Sequence, residues 1–590
     1  MDFYNYYMGN EFEAYRYLGA HFAGGTTTFR TFAPKASMIA VIGEFNGWTE
    51  TPMNKVYDGN FWECVIPHTK EGQMYKYRIY KADGTYIDHA DPYAFYSERR
   101  PGNASRITKL NTAAFHDKRW LNSRGGHFEK PVNIYEIHFG SWKRKDADIA
   151  YSYAELADVL IPYLKENGYN YVELMPLNEY PADESWGYQA TGFFSPTSRY
   201  GTPDELRAFV NECHRNNIGV IMDFVPVHFA VNDYALWNYD GTALYEYPHV
   251  DVGYSEWESC NFMHSRGEVQ SFLGSAAYYW LKEFHFDGLR FDAVSNLLYW
   301  QGSKERGENK SAIEFIKKLN SGLKERFPDV MLIAEDSSVF PNVTGTVSEG
   351  GLGFDYKWDM GWMNDTLDYF RLSPQNRSAQ YHKLTFSMMY FHNERFILPF
   401  SHDENVHGKA TIIQKMNGDY EHKFPQARAL YLYMYAHPGK KLNFMGGELA
   451  QFREWDETRE QDHDLIRYPI HDAFHRYMQE LNHIYLSNAA LWNDYTEDGF
   501  EWLDCQLEKE CIYSFFRRSD DKTLLAVFNF SDKETEYTMS LGDIKELSLI
   551  IDTDDQRFGG QGVPDKAVTV KNGKAVVLLP PFSGRMYALE

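Results

Sequence analysis

Three textures of hydrophobic and polar residues succeed one another along the chain. Up to about residue 110, the runs 26–32, 38–43, 61–66 and 75–80 alternate apolar with polar residues or string together β-branched and aromatic ones, as half-buried strands do. Pro34-Lys35, Asn46-Gly47, Asp58-Gly59 and Asp83-Gly84 separate them as turns, and the spacing predicts a small β-sandwich. From about residue 130, apolar runs alternate with amphipathic stretches of helical period. Strands are expected at 133–139, 171–175, 219–224, 286–292, 331–335, 351–356, 396–401 and 441–445, the sixth being the weakest in pattern. Helices are expected between them at 152–167, 203–216, 269–284, 311–327 and 426–436. Such alternation predicts parallel strands with crossover helices, and eight strands point to a (β/α)8 TIM barrel. After about residue 490 the strand pattern returns without helices, at 499–503, 511–517, 523–529, 568–570 and 574–579. The chain therefore reads as multidomain: an N-terminal β-sandwich over 1–110, a barrel over 111–490 and a C-terminal antiparallel β domain over 491–590.

Composition narrows the partners. A length of 590 residues calls for more than one core, and 43% hydrophobic with 24% charged residues is ordinary for a globular protein. A net charge of −24 disfavours nucleic acid and anionic lipid and suits a neutral substrate. The aromatic content of 17% supplies faces on which sugars can stack, although most of those rings belong in cores. The five cysteines are odd in number and contain no C-x-x-C pair, which fits a reducing compartment without disulfides or a zinc site. The start, Met-Asp-Phe-Tyr-Asn-Tyr-Tyr, has no basic region followed by an apolar core, and no apolar run reaches membrane-spanning length. A cytoplasmic protein with no membrane partner is expected.

One apolar stretch carries charges where a core strand should not. In His285-Phe-Asp-Gly-Leu-Arg-Phe-Asp-Ala-Val-Ser-Asn296, Arg290 and Asp292 stand two residues apart, so in a strand they share a face. Burying a charge is costly unless it is paired or used. The stretch alone is compatible with a salt bridge at a strand end or with a carboxylate oriented by an arginine at a barrel mouth. Further acids fall at other expected strand ends: Asp223, Glu335 with Asp336, and Asp403. Convergent carboxylates suit glycosyl chemistry, which needs an acid on the leaving oxygen and negative charge at an oxocarbenium-like carbon. A hard-cation cage is the competing use of such acids. Arg290, His228 and His402 beside them are donors for hydroxyls and carboxylates, which favours the sugar reading. Gly351-Leu-Gly353 lacks the third glycine of a dinucleotide fingerprint, and neither a phosphate loop nor a G-x-S-x-G elbow is present.

Asp223-Phe-Val-Pro-Val-His228, Gly288-Leu-Arg-Phe-Asp292, Ala334-Glu-Asp336 and Ser401-His-Asp403 resemble, in order and spacing, the four short sequence blocks of the α-amylase superfamily. Ile134-Tyr-Glu-Ile-His-Phe-Gly-Ser-Trp142, Ser185-Trp-Gly-Tyr-Gln189, Gly351-Leu-Gly-Phe-Asp-Tyr-Lys-Trp358, His402-Asp-Glu-Asn-Val-His-Gly-Lys409 and Phe444-Met-Gly-Gly-Glu448 narrow the resemblance to the 1,4-α-glucan branching enzymes. Gly43-Glu-Phe-Asn-Gly-Trp48 with Phe61-Trp62 resembles the N-terminal carbohydrate-binding sandwich of glycogen-active enzymes. The resemblance covers nearly the whole chain and assists the count of eight strands.

It implies that Asp292 is the nucleophile, Glu335 the general acid/base and Asp403 the stabiliser of the distorted sugar. Tyr188 would stack on the sugar at the cleaved bond, while Asp223, His228, Arg290 and His402 hold hydroxyls or orient the acids. The implied reaction cleaves an α-1,4 bond of a donor glucan (amylose or glycogen) and transfers the chain to a glucose 6-hydroxyl of an acceptor glucan, forming an α-1,6 branch, without cofactor or metal. A hydrolytic α-amylase or debranching relative has the same three acids, and an inactive glucan-binding scaffold is the reading from another class. Phe224 replaces a common tryptophan, and Val227 stands where many α-amylases place an asparagine ligand for calcium. The segment from Glu256 to Arg266 follows the family's loop only loosely, and the extra N-terminal module of many bacterial members is missing.

Overall fold

A computed structural model describes residues 1–110, 114–147, 149–563 and 565–589. The boundary expected at 110–111 and the expected end at 590 touch positions outside the described residues. Contacts divide the chain into two compact units, residues 1–125, 138–161 and 173–355 in the first and 126–137, 162–172 and 356–590 in the second.

In the first unit, residues 26–32, 61–67 and 54–56 join Gly19–Ala23 in a four-stranded antiparallel sheet. Met38–Gly43 and Met74–Tyr80 anchor a second sheet, in which Tyr75, Tyr77 and Ile79 are buried at every second position. That period of two is the one legible in the chain.

Eight parallel strands close into a barrel: β1 (Asn133–Ile137), β2 (Tyr171–Leu174), β3 (Gly219–Phe224), β4 (Gly288–Phe291), β5 (Met331–Ala334), β6 (Tyr356–Trp358), β7 (Phe396–Phe400) and β8 (Lys440–Phe444). Every residue of these strands is buried, as expected of parallel strands covered by helices. The crossover helices include α1 (Tyr153–Glu166), α2 (Pro203–Arg215), α3 (Gly267–Glu283), α4 (Lys310–Arg326), α5 (Met360–Arg371) and α6 (Tyr420–Ala436), and α7 (Pro469–Ser487) follows the last strand. α2 shows why its start was legible. Thr202 and Glu205 form a reciprocal capping box, and Pro203 occupies the first helical position, where no N–H is needed.

Strands Thr535–Ser540, Glu546–Asp552 and Ser583–Leu589 and helices α5 and α7 were not expected, and two expected elements are displaced. The sixth strand lies at Tyr356–Trp358, because Gly353 takes a positive φ and the Asp355 carboxylate is bound by Lys324 and the Leu332 N–H, which fixes the preceding residues as a loop. α6 begins at Tyr420 rather than 426. Asp419 caps it through the His422 N–H, and Pro425 is carried inside the helix instead of starting it.

The second unit ends in a six-stranded antiparallel sheet beginning with Phe500–Leu507 and Ile512–Ser519, and a pair formed by Thr535–Ser540 and Lys574–Leu579. Its most unusual core feature is the start of β8, where Lys440 and Lys441 are both fully buried. The Lys440 ammonium donates to the carbonyls of Phe128, Lys130 and Trp492 and lies 3.2 Å from Asp494. Arg517 donates to the other Asp494 oxygen at 2.9 Å. Burial pushes the Lys440 amine down, while the cations around Asp494 hold its carboxyl down to about 2. Asp494→Ala leaves these cations without their carboxylate, and unfolding stability should fall by about 3–5 kcal/mol. Asp464→Ala removes only an exposed pair with Arg467 and should change it by less than about 1 kcal/mol. Chemical denaturation monitored by tryptophan emission measures both; equal midpoints would contradict a structural role for the buried cluster.

Candidate active site

The first unit builds a carboxylate cluster around one guanidinium. β3 and β4 pair in parallel with Asp223 opposite Arg290, and β4 pairs with β5 so that Arg290 faces Ile333. The ladder runs on past the strand ends, with Asp292 N–H donating to Phe224 O and Glu335 N–H to Phe291 O. Asp292 and Glu335 therefore follow neighbouring strands at one level. Arg290 is 1% exposed and reaches Asp223 Oδ2 at 2.9 Å, Asp292 Oδ1 at 3.1 Å and Glu335 Oε2 at 3.0 Å. Tyr188 donates to Asp223 Oδ2 and accepts from Arg290 at 3.3 Å. The surrounding carboxylates hold the guanidinium well above its usual range against its burial.

Accessibility divides the acids. Asp223 is wholly buried, whereas the side chains of Asp292 and Glu335 are 14% and 17% exposed. Of the three acids, Asp292 and Glu335 are the ones open to a ligand. Ala293, a non-glycine residue at φ 48°, turns the chain after Asp292 and aims its N–H at Glu335 Oε2, 2.8 Å away. Strain of this kind persists only where the surroundings enforce it and concentrates at functional sites. The sequence held no signal for it, since alanine is an ordinary residue.

His228, just after β3, is buried, and burial pushes its imidazole down to about 4, so it is neutral at physiological pH. Its ring centre lies 5.2 Å from that of Trp257. A neutral imidazole can both donate to and accept from a sugar hydroxyl. A guanidinium stands among Asp223, Asp292 and Glu335, and Val227 offers no side-chain ligand atom.

The second unit holds His402 and Asp403 just past β7. His402 is buried, and its Nδ1 lies 2.6 Å from Glu136 Oε1 while its N–H donates to Glu136 Oε2 at 3.0 Å. This two-point grip on a neighbouring residue leaves Asp403 more open, with 43% of its side chain exposed and Oδ1 3.7 Å from His402 Nε2. Glu136, fully buried on β1, is a positioning group that the sequence reading did not single out. The available signal was the same one that exposed Arg290: a charge inside an apolar strand.

Family models match three parts of the chain. Residues 17–94 match carbohydrate-binding module 48 (isoamylase N-terminal domain), 157–240 the α-amylase catalytic domain and 502–590 the α-amylase C-terminal all-beta domain. Over 97% of its length the chain is 47% identical to 95% of a 1,4-alpha-glucan branching enzyme GlgB of Fusobacterium nucleatum. It is 43% identical to that of Halothermothrix orenii, with 100% and 96% covered, and 42% identical to that of Bacillus subtilis, with 97% and 94% covered. Among solved structures it resembles a type I pullulanase of Bacillus subtilis complexed with maltose, at TM-score 0.77, 16% identity and 100% and 87% coverage. A putative alpha amylase from Salmonella typhimurium has TM-score 0.73 at 17% identity, with 97% and 100% covered. At such identities these two structures speak to the fold alone.

Arg290→Lys tests the cluster directly. A lysine keeps the charge but not the planar fork that reaches three carboxylates. Turnover on glucan should fall by roughly 100-fold or more, as misplaced catalytic groups do, with the circular dichroism spectrum retained. Turnover within about threefold of wild type would contradict the assigned role.

Proposed function

The chain belongs to the 1,4-α-glucan branching enzymes of the α-amylase family, and from that premise we propose how its residues divide the work of the reaction. The enzyme acts by transglycosylation on α-1,4-glucan, forming α-1,6 branches. In our reading Asp292 attacks the anomeric carbon while Glu335 protonates the departing glycosidic oxygen. The result is a glycosyl ester on Asp292, and a glucose 6-hydroxyl then displaces it with Glu335 as base. Two inversions retain the α configuration. Water in place of the 6-hydroxyl would give hydrolysis.

One observation carries this assignment: Asp292 and Glu335 share a single guanidinium, at 3.1 and 3.0 Å. Two acids bridged this way are close together, which supports the short separation of about 5–5.5 Å used by retaining enzymes. The hydrogen bonds also divide the oxygens. Arg290 engages Asp292 Oδ1 and so orients the carboxylate proposed to attack. Glu335 Oε2 receives both the Ala293 N–H and Arg290, so the proton to be donated belongs on Oε1. Formation of the ester removes one negative charge from the cluster, and the guanidinium stays beside Glu335 for the second step.

Asp403, held beside the Glu136–His402 grip, is the proposed stabiliser of the oxocarbenium-like sugar. Tyr188 is the proposed platform for that sugar, and His228 with His402 its hydroxyl partners. No cofactor enters, since the glycosidic bond supplies the leaving group. We place the enzyme in the cytoplasm, in the synthesis of a stored glucan such as glycogen. Five cysteines without a disulfide support this, and no described helix is long and apolar enough to cross a membrane. The net charge of −24 supports the absence of a nucleic-acid partner.

Incubation with amylose, followed by proton NMR of α-1,6 linkages and a reducing-end assay, tests the reaction. Branches should accumulate with little rise in reducing ends, and Asp292→Asn should abolish both. Reducing ends without branches would identify a hydrolase, and no change in either would identify a scaffold. Activity of Asp292→Asn within about tenfold of wild type would show that the nucleophile lies elsewhere.

A further inference from the structure

Beside His228 the protein presents a large apolar ring to solvent. Trp257 is 39% exposed, yet the backbone that carries it is fixed on every side. Tyr254 and Cys260 bridge the base of its loop. Inside it, the hydroxyls of Ser255 and Ser259 bond each other at 2.6 Å, and Ser255 Oγ accepts the Trp257 N–H at 3.2 Å. Glu258 completes the turn at φ 58°. Gln189 donates to the Trp257 carbonyl at 2.7 Å, and Gln301 donates to the carbonyls of Asp251 and Tyr254 at 2.9 and 2.6 Å.

Single exposed hydrophobics are common and mostly without meaning. Two features set Trp257 apart. Its loop is tied to the cluster through Gln189, whose neighbour Tyr188 bonds Asp223 and Arg290. Its ring is tilted 33° to the imidazole of His228, with the centres 5.2 Å apart, so one large aromatic surface adjoins the proposed hydroxyl-binding histidine. A pyranose ring has an apolar face of C–H groups, and an indole offers it a broad surface with an N–H at the edge for a hydroxyl. The loop backbone that carries the indole is already held by these bonds, so little of the loop has to be ordered on binding.

We propose that Trp257 is a stacking platform for a glucosyl ring of the α-1,4-glucan next to the ring that reacts at Asp292, so that the 254–260 loop selects chain segments over single sugars. This rests on the branching-enzyme reading above and assigns part of its chain recognition to a loop that departs from the family's usual sequence.

The test compares wild type, Trp257→Ala and Trp257→Phe on amylose and on α-glucosyl fluoride, a donor with a single ring. Trp257→Ala should raise KM for amylose about five- to tenfold with kcat within about twofold, and Trp257→Phe should recover most of the loss. The loss of kcat/KM on amylose should exceed that on α-glucosyl fluoride at least fivefold. Maltoheptaose should shift the tryptophan emission of wild type more than that of Trp257→Ala. An unchanged KM for amylose would overturn the proposal. So would equal losses on the two donors, which would mean the substitution disturbs the surroundings of His228 instead of removing a platform. If wild type yields reducing ends and no branches, the branching reading fails, while the same KM split measured on amylose cleavage decides the fate of the platform.

Discussion

A guanidinium buried at the end of β4 has to be balanced by carboxylates, and that requirement organises the chemistry of the first unit. Arg290 has almost no contact with water, so its charge is compensated by Asp223, Asp292 and Glu335 from three consecutive strands. The dependence is mutual. Three acids so close together would repel one another without the cation between them. Pairing and catalysis are therefore parts of one arrangement. In the proposed mechanism the same guanidinium orients Asp292 for attack and Glu335 for proton transfer.

Much of this was legible in the chain because it depended on short-range rules. Arg290 and Asp292 share a face by the period of a strand, and the positions of Asp223 and Glu335 followed from apolar runs ending in an acid. Helix α2 was readable to within a residue from Thr202, Pro203 and Glu205. What escaped depended on contacts between distant residues. Glu136 takes its role from His402, 266 positions away, and nothing near it in sequence reports that partner. The turn at Ala293 is enforced by its surroundings and has no compositional mark. The sixth strand was misplaced because the Asp355 carboxylate, held by Lys324 and the Leu332 N–H, decides where the loop ends.

The second unit repeats the principle with the signs exchanged. There a carboxylate, Asp494, compensates buried cations at Lys440 and Arg517, and the Lys440 ammonium collects three backbone carbonyls besides. Among the described residues, the carboxylate paired with Lys440 and Arg517 is the fully buried Asp494, so a buried charge alone does not mark a site open to a ligand. The distinction lies in exposure. Around Arg290 Asp223 is sealed while Asp292 and Glu335 are partly open, and after β7 His402 is sealed while Asp403 is open.

The central claim is that Asp292 becomes covalently bonded to sugar, and trapping that ester tests it most directly. A fluorinated α-glycosyl fluoride, which reacts with the nucleophile but leaves it slowly, is incubated with the Glu335→Gln enzyme, and the protein is digested for mass spectrometry. The account predicts one fluoroglycosyl group per chain, located on Asp292 in the peptide containing Gly288–Phe291. A label on Asp223 or Asp403, or an enzyme that turns over the reagent without ever carrying a label, would contradict it.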